Sequence, residues 1–208
     1  MFSPAAHPLD ACAAYLRDHW RTPEQYLLDT LARRDVVLLA EDHAIRHNLR
    51  LVQRLIPLLP AAGVHALGME FGASEDQPAL DALVTSAAYD EALARRLMAG
   101  YNVGWPYREY MDVYRAAWAY NRARPPGARP FRVLNLSYRY DWRGAGPART
   151  PEATARVFHR GGTEQYRADL IGREILDRGE KLLALVGTIH ALTRCPMPEF
   201  HFNAPGFV

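Results

Sequence analysis

The stretch VVLLAEDH at residues 36–43 decides the fold, because a continuous apolar run leads directly into acidic and histidine side chains. The same order recurs in LLALVGTIH at residues 182–190, and VHALGME at residues 64–70 ends on a glutamate. Fully buried strands read as unbroken apolar runs, and they belong to parallel sheets covered by helices on both faces. The three stretches therefore predict an α/β fold, with a mainly parallel β-sheet flanked by helices.

The segments between these strands supply the helices that such a sheet needs. Residues 44–56 repeat apolar side chains at helical spacing, and Thr22-Pro23-Glu24-Gln25 has the order of a capping box with proline at the first helical position. After the second strand no strand pattern is evident for some fifty residues. We expect a helical insertion at approximately residues 72–125, with helices near 77–87, 89–99 and 107–123.

Composition and charge restrict the class of protein. The 208 residues are 49% hydrophobic and 23% charged, which suits a single α/β domain over residues 1–208. The net charge of +2, with arginines interspersed among acids, predicts no nucleic acid partner and no membrane surface partner. No apolar run approaches the roughly 20 residues of a membrane helix, and no signal-peptide pattern is seen. The widely spaced Cys12 and Cys195 favour a reduced, cytoplasmic protein, although one disulfide stays open.

Polar side chains follow the predicted strands at the point where each strand ends. Glu41 and His43 follow the first strand, Glu70 ends the second, and His190 follows the last, three residues after Gly187. Ligands of parallel sheets bind beyond the carboxyl ends of the strands, so these side chains are expected to converge. A neutral imidazole near a helix start can ligate a metal or accept a proton from water, and a carboxylate can supply an oxygen ligand or act as general base.

Each of these residues also has an ordinary explanation when it is taken alone. A single loop histidine is more often a surface residue than a ligand, Glu41 could be a helix-start acid, and Glu70 could be a buried carboxylate paired with an arginine. His43 and His47 have the spacing of a zinc pair, but the glutamate of zinc proteases is missing between them. The argument for a site therefore depends on the joint placement of the four groups.

The same residues carry a resemblance to a known superfamily. LLAEDH at residues 38–43 resembles the Gly-Glu-x-His signature of the ChaN-like, erythromycin-esterase-like and TIKI/TraB proteins, with Ala40 in place of the glycine. VGTIHA at residues 186–191 resembles their second motif, Gly-x-x-His, and LGMEF at residues 67–71 is similar to their strand that ends in glutamate. The order and spacing of the motifs match over most of the chain, from about residue 35 to residue 191.

The resemblance implies an α/β fold and one site built from Glu41, His43, Glu70 and His190. Members of the superfamily differ in activity: some open esters or lactones, some are metal-dependent peptidases, and ChaN is associated with haem. In the esterase branch the first-motif histidine activates water, whereas in the peptidase branch the motif histidines and glutamates hold a divalent metal. Arg167 loosely matches an arginine in the helix before the last strand.

Together these observations predict a metal-assisted enzyme, a hydrolase that cleaves an ester or amide bond of a small molecule or peptide. Glu41, His43, Glu70 and His190 are the expected catalytic residues and the expected ligands of a divalent metal ion. Aromatic residues of the 101–110 segment are expected to form a substrate wall. The expected substrate-binding residues are Arg50, Trp105, Tyr107, Arg108, Asn135, Tyr138 and Arg167. The alternatives are a haem or small-ligand binding protein, for which a homodimer stays open, and a biosynthetic cyclase or lyase that uses the same site.

Overall fold

The computed structural model describes residues 8–101, 106–144 and 150–192. The strands in this part of the chain are β1 (Val36–Glu41), β2 (Ala66–Ala73), β3 (Arg132–Ser137) and β4 (Leu182–Gly187). The helices are α1 (Pro8–His19), α2 (Pro23–Leu31), α3 (Arg46–Leu55), α4 (Gln77–Thr85), α5 (Glu91–Gly100), α6 (Arg108–Ala123), α7 (Pro151–Val157), α8 (Thr163–Glu174) and the short α9 (Thr188–Ala191).

The four strands form one parallel sheet in the order β1-β4-β2-β3. This confirms the predicted fold class. Alternate residues of the strands belong to two separate apolar clusters, one on each face of the sheet. Helices α3, α4, α5 and α6 pack in the larger cluster, and α8 packs in the smaller one. No helix in the described part of the chain is long and apolar enough to cross a membrane.

The register brings Glu41, Gly187 and Glu70 to the same edge of the sheet, although β2 does not end at Glu70 as predicted but continues to Ala73 beside β3. Glu41, the last residue of β1, pairs with Gly187, the last residue of β4. Strand β2 lies on the other side of β4, with Met69 opposite Leu185, so that Glu70 follows directly at the same edge. Sequence segments that are more than 100 residues apart therefore meet at one edge of the sheet.

The first strand differs from its prediction as a fully buried strand. The central strands β2 and β4 are buried throughout, whereas the first five residues of β1 are partly exposed and only Glu41 is buried. The physical reason is position, because β1 lies at the edge of the sheet and pairs with β4 alone. An apolar run indicates a strand in such a sheet, but it does not distinguish a central strand from an edge strand.

Local sequence patterns predict the start of helix α2 correctly but not the start of helix α3. The predicted capping box is present: Thr22 Oγ1 accepts from the N–H of Gln25 at 3.2 Å, and Gln25 Oε1 accepts from the N–H of Thr22 at 3.2 Å. Helix α3, by contrast, begins at Arg46 rather than at residue 44, with Ile45 as its N-cap. His43 is therefore not at the helix start. Ala44 has a φ of 69°, a left-handed conformation that is unusual for alanine and turns the chain between β1 and α3.

Candidate active site

Hydrogen bonds connect the segment around His43 with the segment around His190 at the carboxyl edge of the sheet. Thr188, the first residue of α9, donates its hydroxyl hydrogen to the Glu41 carbonyl at 3.0 Å and lies 2.9 Å from Asp42 Oδ1. The Gly187 N–H donates to Glu70 Oε2 at 2.6 Å. The structure therefore places the strand ends of β1, β4 and β2 side by side, as their sequence motifs predict.

Glu41 is a buried carboxylate at the centre of this edge. Its side chain accepts the Tyr110 hydroxyl at 2.6 Å on Oε1, and the same oxygen lies 3.2 Å from Nδ1 of His43. Its second oxygen, Oε2, is buried and has no hydrogen-bond partner among the described residues. Burial raises the pKa of Glu41 above its ordinary value, and the hydrogen bonds from Tyr110 and His43 oppose that rise.

His43 is held on two sides by this arrangement. Nδ1 faces Glu41, while Nε2 lies only 2.7 Å from the point where a Cβ atom on residue 187 would stand. Glycine at position 187 is thus required for the close approach of the imidazole ring to the backbone. The ring also packs on Phe71, with centroids 4.8 Å apart, and the side chain is 23% exposed. A carboxylate that accepts from Nδ1–H selects the tautomer whose Nε2 can accept a proton.

Four charged side chains form a closed ring next to the Glu41–His43 pair. Glu70 Oε1 lies 3.0 Å from Nη2 of Arg167 and 3.0 Å from Nε2 of His190. Glu164 Oε1 lies 3.0 Å from Nη1 of Arg167 and 2.5 Å from Nδ1 of His190. Each cationic side chain therefore bridges both carboxylates, and Ser137 Oγ accepts two further hydrogen bonds from the same guanidinium. We call Glu70, Arg167, Glu164 and His190 the charge ring.

The charge ring fixes the ionisation of its members. Burial alone would raise the pKa of Glu70, but the hydrogen bond from His190 and the charge of Arg167 outweigh it and lower that pKa to about 2. Burial alone would lower the pKa of His190, but hydrogen bonds to Glu164 and Glu70 raise it to about 9. Near neutral pH Glu70 is therefore a carboxylate and His190 an imidazolium.

This arrangement does not fit a divalent ion held by Glu41, His43, Glu70 and His190. A histidine ligand needs an unprotonated ring nitrogen, whereas both ring nitrogens of His190 face carboxylate oxygens, Glu70 Oε1 at 3.0 Å and Glu164 Oε1 at 2.5 Å. Both oxygens of Glu70 are likewise engaged, with Gly187, Arg167 and His190. Within the described ranges, no group of three or more His, Cys, Asp or Glu side chains is placed to hold a metal.

Two of the expected substrate-binding residues are buried and donate hydrogen bonds to backbone carbonyls. Asn135 is 2% exposed, and its Nδ2 donates to the Ala73 carbonyl at 2.9 Å. The Tyr138 hydroxyl donates to the Gly161 carbonyl at 2.7 Å. Both side chains connect backbone segments in the interior. Arg167 is equally buried, and it acts within the charge ring rather than at a surface that could bind substrate.

The remaining expected substrate residues in the described part of the chain lie on two helices, Arg50 on α3 and the consecutive Tyr107 and Arg108 at the start of α6. Arg50 is exposed on α3, and Tyr107 is 41% exposed immediately before α6. Arg108 lies 3.9 Å from Asp112 and lines a cavity of about 670 Å³ between α5 and α6, whose lining includes neither the Glu41–His43 pair nor the charge ring. Trp105 lies outside the described residues.

Two residues of the site were not identified individually from the sequence. Glu164 precedes Arg167 by three positions on α8, and an acid and a base at this spacing share a helix face. That signal predicts a surface ion pair as readily as a buried one, so it does not single out Glu164. Tyr110 was expected only as one aromatic residue of the 101–110 segment, and its hydrogen bond to Glu41 depends on how α6 packs against β1.

Comparisons with known proteins agree with this fold. The family model described as haem-binding uptake, Tiki superfamily, ChaN matches residues 27–170. No curated protein sequence matches the chain. Similar solved structures include the type III effector HopBA1, with 18% identity over 81% of this chain and 73% of that chain and a TM-score of 0.55. ChaN of Campylobacter jejuni, in a structure described as showing cofacial heme binding, has 16% identity over 80% of this chain and 75% of that chain, with a TM-score of 0.50.

A third similar structure is the MARTX toxin effector domain RRSP from Vibrio vulnificus. Its identity is 20% over 82% of this chain, with a TM-score of 0.55. The chain spans only 31% of that structure, and 39% of a further bacterial toxin that it matches. At these identities the structural similarities show a shared fold, whereas the family model, which covers more than half of the chain, shows the family.

The charge ring predicts a stability maximum between about pH 4.5 and pH 6.5. Glu70 has its pKa lowered from 4.5, so its contribution is complete above 4.5 and is lost as pH falls through about 2. His190 has its pKa raised from 6.5, so its contribution is complete below 6.5 and is lost as pH rises through about 9. Urea unfolding should show a loss on the order of 3 kcal/mol between pH 5.5 and pH 10, since one pH unit between folded and unfolded pKa values is worth about 1.4 kcal/mol.

His190→Gln is the control for this measurement, because it removes the titrating imidazole and keeps a polar side chain of similar length. The variant should be less stable than the wild type at pH 5.5, and its free energy of unfolding should fall less between pH 5.5 and pH 10. An equal loss of unfolding free energy at alkaline pH in both proteins would contradict the assignment of that loss to His190.

Proposed function

The chain belongs to the ChaN family of haem-binding uptake proteins in the Tiki superfamily. Within this family, we propose that it is a hydrolase of ester or amide bonds in small molecules or peptides. The observation that carries the proposal is the Glu41–His43 pair. A buried carboxylate faces Nδ1 at 3.2 Å, and Nε2 is directed away from it toward Gly187. Such a pair is the arrangement by which enzymes orient a neutral histidine as general base.

In the proposed reaction, His43 Nε2 accepts a proton from a water molecule while the water oxygen attacks the carbonyl carbon of the substrate. Glu41 accepts the Nδ1–H hydrogen bond and stabilises the imidazolium that forms. The tetrahedral intermediate then collapses, and His43 returns the proton to the departing alcohol or amine. The same proton transfers would serve a cyclisation or an elimination, so the biosynthetic alternative uses the same two residues.

The charge ring supports this reaction by holding the backbone next to His43 in place. Glu70 accepts the Gly187 N–H, and so fixes the backbone over which the His43 ring lies. His190 and Arg167 hold the Glu70 carboxylate from the other side. The proposed roles therefore differ from the expected ones: His43 acts on the reacting atoms, while Glu70 and His190 are positioning residues. The proposed mechanism is written without the expected divalent metal, because Glu70 and His190 face each other, Arg167 and Glu164 within the charge ring.

Haem binding is the second candidate, and the family description favours it. Histidine and tyrosine are axial ligands of haem iron, and both types are available at the surface. Tyr26 is 62% exposed, Tyr107 is 41% exposed, and His47 is exposed on α3. In this role the protein would bind haem with surface side chains, and the buried Glu41–His43 pair would not take part.

We predict that His43→Ala lowers kcat/KM for hydrolysis of p-nitrophenyl esters by roughly 10²–10⁴-fold, the range that a general base contributes. His47→Ala is the matched control, since His47 is an exposed histidine in the first turn of α3, and its replacement should leave the rate unchanged. EDTA should also leave the rate unchanged. Equal rates in the wild type and His43→Ala would contradict the proposal. Loss of activity in EDTA, restored by a divalent ion, would show that a metal takes part.

Haem titration of the same three proteins tests the second candidate. A saturable Soret band that persists in His43→Ala, together with no ester or amide hydrolysis by the wild type, would replace the hydrolase by a haem-binding protein. Hydrolysis that depends on His43, with no saturable Soret band, would support the first proposal.

We further predict that Gly187→Ala lowers kcat/KM about 100-fold while the melting temperature changes little. The new Cβ atom would lie 2.7 Å from His43 Nε2, so the imidazole must move, and a misplacement of about 1 Å can cost this much in rate. Gly172→Ala is the control, because it adds the same atom within α8 with nothing within 4 Å of it. It should keep full activity. Full activity of Gly187→Ala would show that the position of the His43 ring is not important.

A further inference from the structure

A small groove opens beside the Glu41–His43 pair, between the loop after β1 and the start of α6. Its volume is about 180 Å³, and its walls include Ile45, Leu49, Tyr107 and Tyr110. The groove is continuous with the site through two residues. Tyr110 lines it and donates its hydroxyl hydrogen to Glu41 at 2.6 Å, and Ala44, which follows His43 directly in sequence, also lines it.

The groove is lined by the aliphatic side chains of Ala44, Ile45 and Leu49, by the rings of Tyr107 and Tyr110, and by the charged Arg46 and Glu109. Isoleucine at position 45 is unfavourable for the start of helix α3. Ile45 is the N-cap of α3, where it makes no side-chain capping bond and is 44% exposed. Ser, Thr, Asp or Asn at an N-cap would stabilise a helix by about 1 kcal/mol relative to an apolar residue. The helix therefore gains nothing from isoleucine at this position. Its side chain instead faces the same groove as Leu49 and Tyr107.

An ion pair limits the length of the groove. Arg46 Nε lies 3.4 Å from Glu109 Oε1, so the pair connects α3 with α6 across the groove, and both residues line it. A second link fixes the same two helices, since Gln53 Nε2 donates to the Glu109 carbonyl at 3.3 Å. The distance between the walls is therefore set by two contacts, and a long unbranched chain would have to displace the Arg46–Glu109 pair.

We infer that this groove binds a compact apolar group of the substrate, about the size of a benzene ring or a branched four-carbon chain. The inference rests on the proposed hydrolase function and names its substrate class: esters or amides of small aromatic or branched aliphatic groups. A cavity of about 150 Å³ lined by apolar side chains holds one benzene molecule, and drug-sized ligands need about 300 Å³ or more. A groove of about 180 Å³ therefore suits the smaller class.

The test compares Ile45→Trp, which fills the groove, with Leu176→Trp, which adds the same ring at an exposed leucine before β4 and outside the groove. Hydrolysis of p-nitrophenyl acetate, isobutyrate, benzoate and octanoate is measured for both variants and the wild type. The wild type should prefer isobutyrate and benzoate to octanoate. Ile45→Trp should lower kcat/KM for benzoate at least tenfold relative to acetate, whereas Leu176→Trp should keep the wild-type ratio.

A binding measurement separates the groove from the reaction. N-methylbenzamide, which carries the compact aromatic group on a stable bond, is titrated into each protein and followed by ligand-observed NMR. Saturable binding that Ile45→Trp abolishes and Leu176→Trp keeps would support the groove even if no ester is hydrolysed, in which case the hydrolase proposal alone fails. Hydrolysis with the same substrate ratios in both variants would overturn the groove and leave the hydrolase. A protein that neither hydrolyses the esters nor binds the amide at Ile45 would overturn both.

Discussion

The carboxylate of Glu70 is the group on which the site depends. It accepts a backbone hydrogen bond from Gly187 at 2.6 Å on one oxygen, and it pairs with Arg167 and His190 at 3.0 Å each on the other. One side chain on β2 thereby connects the end of β4, helix α8 and helix α9. A buried charge with these partners is tolerable, whereas removing one partner of a buried pair typically costs about 3–5 kcal/mol.

This arrangement divides the four motif residues into two pairs with different tasks. Glu70 and His190 neutralise each other within the charge ring, where Glu164 and Arg167 complete the set. Glu41 and His43 stand outside the ring, and Glu41 keeps an oxygen without a partner among the described residues. Glu164 Oε2 in the charge ring also lacks a partner among the described residues, so the division into two pairs rests on which carboxylates the two imidazoles face.

The sequence was sufficient for the fold class and for the meeting of β1, β2 and β4 at one edge of the sheet. Apolar runs that end in Glu41, Glu70 and Gly187 predict parallel strands with one common edge, and the register confirms it. The distinction between reacting and positioning residues could not be predicted, because it depends on which carboxylate each imidazole faces. His43 and His190 have similar motifs, yet Nδ1 of His43 faces Glu41, whereas the two ring nitrogens of His190 face Glu70 and Glu164.

The most direct measurement is the protonation of the two histidines, read from two-bond ¹H–¹⁵N NMR spectra of the ¹⁵N-histidine-labelled protein near pH 7. The account predicts that His190 shows two protonated ring nitrogens, as expected for a ring between Glu70 and Glu164. It predicts that His43 shows a protonated Nδ1 and an unprotonated Nε2. Resonances are assigned with His43→Ala and His190→Gln. A neutral His190 with a free nitrogen, or a His43 protonated on Nε2 alone, would contradict the division of the site into a charge ring and a reactive pair.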